Sequence, residues 1–416
     1  MIVLTTYEEA RDGFRHRDLR QALYDEGVHL MDGVIVNLHG DPHVARRRLE
    51  NRLFRRDTFA WYETDRIPTI IDRVLAAALA AGRGDLLPLA RRTMMALSVE
   101  VAGVDIVTGG AGDGAEAGVD EGGGDADADF ERLYGIMNRL ARASTVAHAT
   151  GDKEAIIADG DEALAEFEAA FYHHSLYRRQ RLVRDMEEGR RDPADLPRDV
   201  LTTLLVNTDK LDLPPDTILR EVAYFPWVGS HSTSAQLVHA MHHIFTWIDE
   251  HPADRDVLIA DGARRQAFVH ESMRLHPASP VAERVATADI ELKSGRRIPE
   301  GTAVTVSVEA ANRDPEAFGP EPDRFDPDRR RGDGVPPWGL SFGTGTHACL
   351  GQELAGGLEP EDALHHHLLG AVTLMAGSIL ANGARPDPDD PPSLDQNTTR
   401  HMWGRYPVLF DVEPTG

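Results

Sequence analysis

The sequence contains one cysteine, Cys349, among 416 residues. An intrachain disulfide is therefore impossible, and a disulfide-stapled secreted scaffold is excluded. Long apolar runs are also missing. The longest late one, "LLGAVTLMAGSILA" from Leu368 to Ala381, falls short of the ~20 residues a membrane-spanning helix needs and reads as a buried element. The opening "MIVLTTYEEA" is too short an apolar run for a signal peptide and reaches Glu8 and Glu9 at once. The expectation is a cytoplasmic chain without membrane contact. Positive charge is scarce: 44 Lys and Arg stand against 69 Asp and Glu, a formal net charge of −25. That balance argues against nucleic acid as a partner.

No repeat period stands out, although the length is enough to bury a large core. One low-complexity segment, Gly109 to Asp129, is rich in glycine and aspartate and reads as a flexible acidic surface insertion between helices. Helical patterns resume after it without a change of character, so residues 1–416 are expected to form a single domain. From there to about His251 the chain reads as amphipathic helices, including "DEALAEFEAAFYHHSLYRRQRLVRDMEEG". Strand-like alternation is confined to short pieces, "VIVNL" near Val34 and "TAVTVSVEA" near Thr302, the second preceded by a turn at Pro299 to Gly301. The expected class is mainly α with small β-sheets.

Cys349 lies in "FGTGTHACLG", Phe342 to Gly351. Glycines let the backbone turn tightly and approach a flat ligand. Amides near the sulfur, and the start of the helix-like stretch that follows, favour a thiolate. Alone, such a cysteine is either a buried hydrophobe in a turn or a used thiolate. The pattern F-G-x-G-x-H-x-C-x-G is met at every fixed position by Phe342, Gly343, Gly345, His347, Cys349 and Gly351. It resembles the haem-thiolate signature of the cytochrome P450 family. The resemblance implies haem b, with Cys349 as axial ligand of the iron, held between this loop and a long central helix.

Other stretches follow in the family's order. "ESMRLHP" resembles the E-x-x-R helix, in which Glu271 and Arg274 share a face and can pair. "PDRF" resembles the segment whose arginine, here Arg324, joins that pair, and Arg284 in "ERVATADIEL" matches a haem-propionate contact. Upstream, "GDPHVARRRLENRLF" looks like the helix that crosses the electron-donor face, with Asp41 as N-cap and Pro42 as first residue. His43 and Arg47 match the H-x-x-x-R pair that holds a propionate, and His347 is the corresponding contact in the cysteine loop. The likeness runs from about Val3 to Leu350. It departs where the first helix and outer strand are short or absent, and at the acidic insertion.

"PWVGSHSTSA", Pro226 to Ala235, could suggest a serine nucleophile, but G-x-S-x-G is not formed. Against the family's A-G-x-[DE]-T-T pattern, "VGSHST" places His231 at the acid and Ser232 at the first threonine. Slipped by one, Thr233 becomes the alcohol; no carboxylate appears either way. Ser232 can hold a water beside bound oxygen. His231 either shuttles protons, since imidazole titrates near pH ~6.5, or packs within the helix and leaves delivery to water. Pro226 is expected to kink or start this helix, with Trp227 as a bulky wall nearby.

The resemblance implies a monooxygenase of secondary metabolism that takes a small organic substrate, dioxygen, and electrons from NAD(P)H through ferredoxin reductase and ferredoxin. Alternatives are a peroxide-driven peroxygenase and a non-catalytic haem sensor. The basic run Arg46 to Arg56 is either a solvated face or the ferredoxin dock, near Arg46, Arg48 and Arg52. Histidine clusters at His173 and His174, His242 and His243, and His365 to His367 lack metal-ligand spacing and read as packing or surface.

Overall fold

The computed structural model describes residues 1–106, 125–359 and 367–411. The predicted insertion at 109–129 lies outside the described residues up to position 124; from Asp125 onward the chain is already helical. The helices that build the site are α1 (Tyr7–Arg15), α2 (Asp41–Glu50), α3 (Ile67–Ala81), α4 (Leu86–Ala102), α5 (Asp125–Ser144), α6 (Lys153–Phe167), α7 (Pro215–Glu250), α8 (Gly262–Leu275) and α9 (Ala371–Ala381). Local chemistry sets their ends. Asp85 accepts the Leu87 amide to start α4, and Gly103, at φ 83°, ends it. The α2 cap is Gly40, at φ 65°, and Asp41 is already inside the helix, one position later than the N-cap role expected of it.

α7 is the spine. Its 36 residues are apolar on most sides, so it must be covered nearly all round. α4 lies along it, with α5, α8 and α9 against other faces. Leu237, Val238, Met241 and Ile244 are wholly buried there, each worth roughly 1.5–3 kcal/mol of transfer free energy. α9, read as a buried element, packs on α7 and α8. Pro226 neither starts α7 nor ends it: the helix begins at Pro215 and continues past it, because packing outweighs one missing amide donor.

A four-stranded sheet covers one side, formed by β1 (Ile2–Leu4), β2 (Leu19–Gln21), β3 (Val281–Ala286) and β4 (Ala303–Ser307) in the order β1-β4-β3-β2. β1 runs parallel to β4, and the β4–β3 and β3–β2 pairs are antiparallel. The register sets Gln21 opposite Arg284. Leu4, Val304 and Val306 point into a second, smaller core with Phe14 and Leu340. The first helix and outer strand are thus present but short. "VIVNL" is not a strand: Ile35–Asn37 forms a 3-10 turn, since no neighbouring strand pairs with it. Among the described residues no helix is long and apolar enough to cross a membrane.

Candidate functional site

The cysteine loop is shaped by two left-handed glycines, Gly343 at φ 63° and Gly345 at φ 76°. A side chain at Gly345 would also press to 3.2 Å of Arg15 in α1. The Cys349 amide donates to the Phe342 carbonyl at 2.9 Å, closing the loop. Phe342 is fixed edge-on to Trp338, ring centres 5.6 Å apart. Burial pushes the Cys349 thiol pKa up, while the Gly351 amide, which donates to the sulfur, and the Arg47 charge pull it down. Yet the side chain is exposed. A group that is both exposed and desolvated faces a recess inside the fold and not bulk water. The helix after the loop spans Gln352–Gly356 and Gly357 at φ 72° ends it, while residues 360–366 of the helix-like stretch lie outside the described residues.

Around this loop sits a set of cations and imidazoles. His43 of α2 and His347 stack at 4.0 Å and 24°. Burial, with Arg47 and His39 nearby, pushes the His43 pKa down to about 4. Burial, with His43, Arg284, His39 and Arg47 nearby, pushes that of His347 down to about 3. Arg47 donates from Nη2 to the Ala348 carbonyl at 2.5 Å and from Nε to Asn51 at 3.0 Å. Arg284 lies 5.3 Å over the Phe14 ring and donates to the Glu283 carbonyl at 2.9 Å; burial lowers its pKa to about 10. Neither arginine makes an ion pair among the described residues, and His39 Nδ1 is buried without a partner. A group carrying two carboxylates beside the sulfur, as haem b does, fits this donor set.

Beneath the loop, α8 holds the Glu271–Arg274 pair. Arg274 donates from Nε and Nη2 to the two carboxylate oxygens, each at 2.7 Å. The third member is Arg329, whose Nε donates to Glu271 Oε1 at 2.9 Å. This corrects the expectation for Arg324: its side chain is 69% exposed beside Glu321, and only its carbonyl takes part, accepting from Arg329. Arg274 also donates to the carbonyls of Asn312 and Pro322, which ties α8 to the coil under the cysteine loop.

On α7, Ser232 is the only exposed residue between Thr217 and Phe245. Its hydroxyl donates to the Val228 carbonyl at 3.0 Å. Thr233 is buried. His231 turns to α5: Nε2 lies 2.9 Å from Asn138 Oδ1, and Nδ1 lies 2.9 Å from the Trp227 carbonyl. Burial, reinforced by Arg91, pushes its pKa to about 3. Trp227 packs edge-on to Tyr224, 5.2 Å between ring centres.

The basic run divides. Arg46 is buried and ion-paired to Glu221 at 2.6 Å, so it is not available as a docking residue, whereas Arg48, Arg52, Arg55 and Arg56 are exposed. Of the histidine clusters, His173 faces Glu168, His242 faces Tyr406, and His243 faces Ser272. His365 and His366 lie outside the described residues, and His367 contacts Gln266. Sequence reading missed Arg329, Asn138 and Glu221, because each acts through a partner distant in the chain. A charged residue inside an apolar helical face, as at Glu221, was the one available signal.

Comparison with known proteins gives a consistent picture. Residues 265–357 match the family model described as Cytochrome P450. Cytochrome P450 BJ-3 of Bradyrhizobium diazoefficiens is 31% identical over 360 residues, 82% of this chain and 72% of that protein. The cyclooctat-9-en-7-ol 5-monooxygenase of Streptomyces melanosporofaciens is 34% identical over 208 residues, 44% of each chain. The erythromycin C-12 hydroxylase of Saccharopolyspora erythraea is 39% identical over 128 residues, 31% of this chain and 30% of that one. The matched region thus spans less than half the length of these two. The solved structure of CYP109B1 from Bacillus subtilis superposes with a TM-score of 0.70 at 19% identity, over 98% of this chain and 93% of that one. That of CalO2 gives 0.69 at 20% identity, over 99% and 90%. These likenesses show a shared fold.

Proposed function

The chain belongs to the cytochrome P450 family, and from that premise we propose that it is a cytoplasmic haem-thiolate monooxygenase of secondary metabolism. One atom of dioxygen enters a small organic substrate and the other leaves as water, with two protons and two electrons consumed. The electrons come from NAD(P)H through ferredoxin reductase and ferredoxin. The observation that carries this reading is Cys349, desolvated yet exposed into a recess ringed by His43, Arg47, Arg284 and His347. Two relatives, from Streptomyces and Saccharopolyspora, are named for a monooxygenation and a hydroxylation of natural products.

When bound, haem b supplies the redox-active iron at which dioxygen reacts. Cys349 would be its axial ligand, the sulfur's donor strength tempered by the Gly351 amide and Arg47. His43, Arg47, Arg284 and His347 would take the propionates. Gly343 and Gly345 supply the loop's left-handed turns, Phe342 anchors it against Trp338, and Gly351 supplies the amide at the sulfur. Glu271, Arg274 and Arg329 hold that loop from below. Ser232, exposed on α7, would offer its hydroxyl to hold a water where dioxygen reacts. The His231 ring lies between Asn138 and the Trp227 carbonyl and is not turned toward Ser232. That supports helix packing for His231, with water carrying the protons and Thr233 behind it in the core. The missing carboxylate in this stretch favours one second reading, peroxide as the oxidant, which needs no stepwise protonation of dioxygen.

The test is the absorption band of the reduced carbon monoxide complex. The wild-type protein is expected to show the thiolate-ligated band, and Cys349→His the imidazole-ligated one. An unchanged band in Cys349→His would reject the assignment. Product formation with ferredoxin and NAD(P)H, against formation with hydrogen peroxide alone, separates the two oxidant readings.

A further inference from the structure

Five imidazoles from three parts of the chain meet where the C-terminal hairpin, Ser393–Leu394 paired with Trp403–Arg405, lies against α7. α7 supplies His239, His242 and His243, the residue just past α8 is His276, and the hairpin carries His401. His239 and His276 stack face to face, ring centres 4.4 Å apart and planes at 1°. His401 lies 6.3 Å from His239 and 6.2 Å from His276, and His243 lies 5.0 Å from His276. Trp403 covers the group from the hairpin side, its ring centre 4.9 Å from that of His242.

The hydrogen bonding of this joint is incomplete. His242 Nδ1 lies 3.1 Å from the Tyr406 hydroxyl, His243 Nδ1 lies 3.1 Å from Ser272 Oγ, and Gln236 Nε2 donates to the His276 carbonyl at 2.6 Å. Gln236 Oε1 and the Trp403 indole nitrogen are buried without a partner. A shared metal does not explain the group either. Stacked rings aim their in-plane lone pairs along parallel planes and not at one ion, and among the described residues no three such side chains are placed to hold a metal.

Among the described residues, the charges that act on these rings give a proton no counter-ion. Arg274 of α8 and Arg313, in the coil after β4, both act on His276, and Arg274 acts on His243. Each arginine already has its acid: Glu271 for Arg274 at 2.7 Å, Asp323 for Arg313 at 3.0 Å. On the hairpin, Asp390 holds Arg405 and Asp395 accepts from Asn397, while Asp249 of α7 acts on the Tyr406 phenol. Burial first, then neighbouring imidazoles, pushes the pKa of His239 down to about 3 and that of His243 to about 2. Burial and then Arg313 bring His276 to about 4, and burial lowers His242. On the hairpin's other flank, burial, Arg400 and Lys153 lower His148 to about 4 against the pull of Glu26.

We propose that these imidazoles form an acid-sensitive latch: neutral, they stack and hold the hairpin on α7, and protonation parts them and lifts the hairpin, together with its contacts to the segment between α5 and α6. Those contacts are the Thr150 amide to the Asn397 carbonyl at 3.2 Å and the Thr399 amide to the His148 carbonyl at 3.0 Å. The latch is close to Ser232 along the helix, since Gln236 follows it by about one turn of α7 and His239 by about two. It needs no bound group, so it stands apart from the haem-thiolate reading.

A ring whose folded pKa lies below the ordinary 6.5 binds protons more tightly when freed than when stacked. Closure is therefore at full strength above pH 6.5 and weakens as pH falls below it, by up to about tenfold in the opening equilibrium per pH unit and per freed ring. The experiment is hydrogen exchange of the intact holoenzyme between pH 7 and pH 5, corrected for the intrinsic exchange rate, comparing residues 393–405 and 146–150 with the α4 core. Wild-type opening of both segments is expected to rise about 100-fold or more from pH 7 to pH 5 while α4 stays closed. In His239→Gln/His242→Gln the rise should be at least about tenfold smaller, because two of the linked protons are gone. Should that double variant be open already at pH 7, His276→Gln, at a half-buried ring, tests the same step and should also rise less than wild type. A wild-type hairpin whose opening does not change with pH overturns the proposal. So does an equal rise in wild type and variants, or opening of α4 in step with the hairpin, which would make acid a global denaturant and not a key to this joint.

Discussion

Arg46 Nη1 lies 2.6 Å from Glu221 Oε2, and Glu50 Oε1 is 3.9 Å from the same nitrogen. One buried guanidinium thus serves two buried carboxyls across the contact of α2 with α7. Glu221 also accepts the Ile35 amide, while both Glu50 oxygens are buried without a hydrogen bond.

Two acids facing one cation cannot both ionise cheaply: burial raises both pKa values, Glu221 to about 7, and the Glu221 charge adds to burial in raising Glu50 well above the carboxylate range. A carboxyl whose folded pKa is raised binds more protons folded than unfolded. Its stabilising contribution is therefore present below the unfolded pKa, near 4.5, and is lost as pH rises toward 7 and beyond. Glu50→Gln should flatten that loss: equal to wild type at pH 5 and more stable by about 1–3 kcal/mol at pH 8. The difference between the two proteins by urea unfolding is the quantity to measure, because the depressed histidines change wild-type stability in the opposite direction as pH falls through 6.5. A difference that does not vary with pH would refute the shared-cation account.

The triad under the cysteine loop gives a sharper contrast. Arg329→Ala removes one of two cations from the buried Glu271 and should cost about 3–5 kcal/mol with loss of haem retention. Arg324→Ala, at an exposed side chain, should stay within about 0.5 kcal/mol. Equal effects would show that the two arginines share the role.

The sequence made the cysteine loop, the E-x-x-R pair and the long central helix legible, because each is written in a few adjacent residues whose local geometry is determined by glycine or helical spacing. Arg329 was not legible for the opposite reason. "PDRF" and "DPDRR" both offer an arginine a few residues from Glu271's reach, and only the path of the proline-rich coil decides which one turns inward. The strand expected at "VIVNL" failed similarly: its alternation is real, yet a strand needs a partner and the fold provides none there. His231 and Asn138 are 93 residues apart in the chain, and no local pattern announces such a pair.

Electron delivery should follow the divided basic run. Arg48, Arg52 and Arg56 are exposed on or just after α2, so changing all three to glutamate should slow reduction by an acidic ferredoxin about tenfold or more at low salt. Added salt should shrink that difference, since exposed charges are screened over ~10 Å at 0.1 M. Stopped-flow reduction at two salt concentrations measures it. A rate indifferent to both charge reversal and salt would remove the docking role. Arg46 is no part of this test, since reversing it would break a buried ion pair instead of a surface.

The role proposed for α7 around Ser232 is tested by three substitutions with different expected signatures. Ser232→Ala removes the exposed hydroxyl and should lower product formed per NAD(P)H oxidised, with more peroxide released, while stability barely changes. Asn138→Ala leaves a buried His231 nitrogen unmet and should cost about 1–3 kcal/mol of stability with coupling kept. The decisive variant is His231→Gln. Wild-type His231 is neutral throughout pH 5–8, its pKa lying near 3, and both its nitrogens face α5 or its own helix. If it only packs, the pH profile of coupling should be the same in wild type and His231→Gln. A step in the wild-type profile that vanishes in His231→Gln would return the proton to His231 and assign it the work of the missing acid.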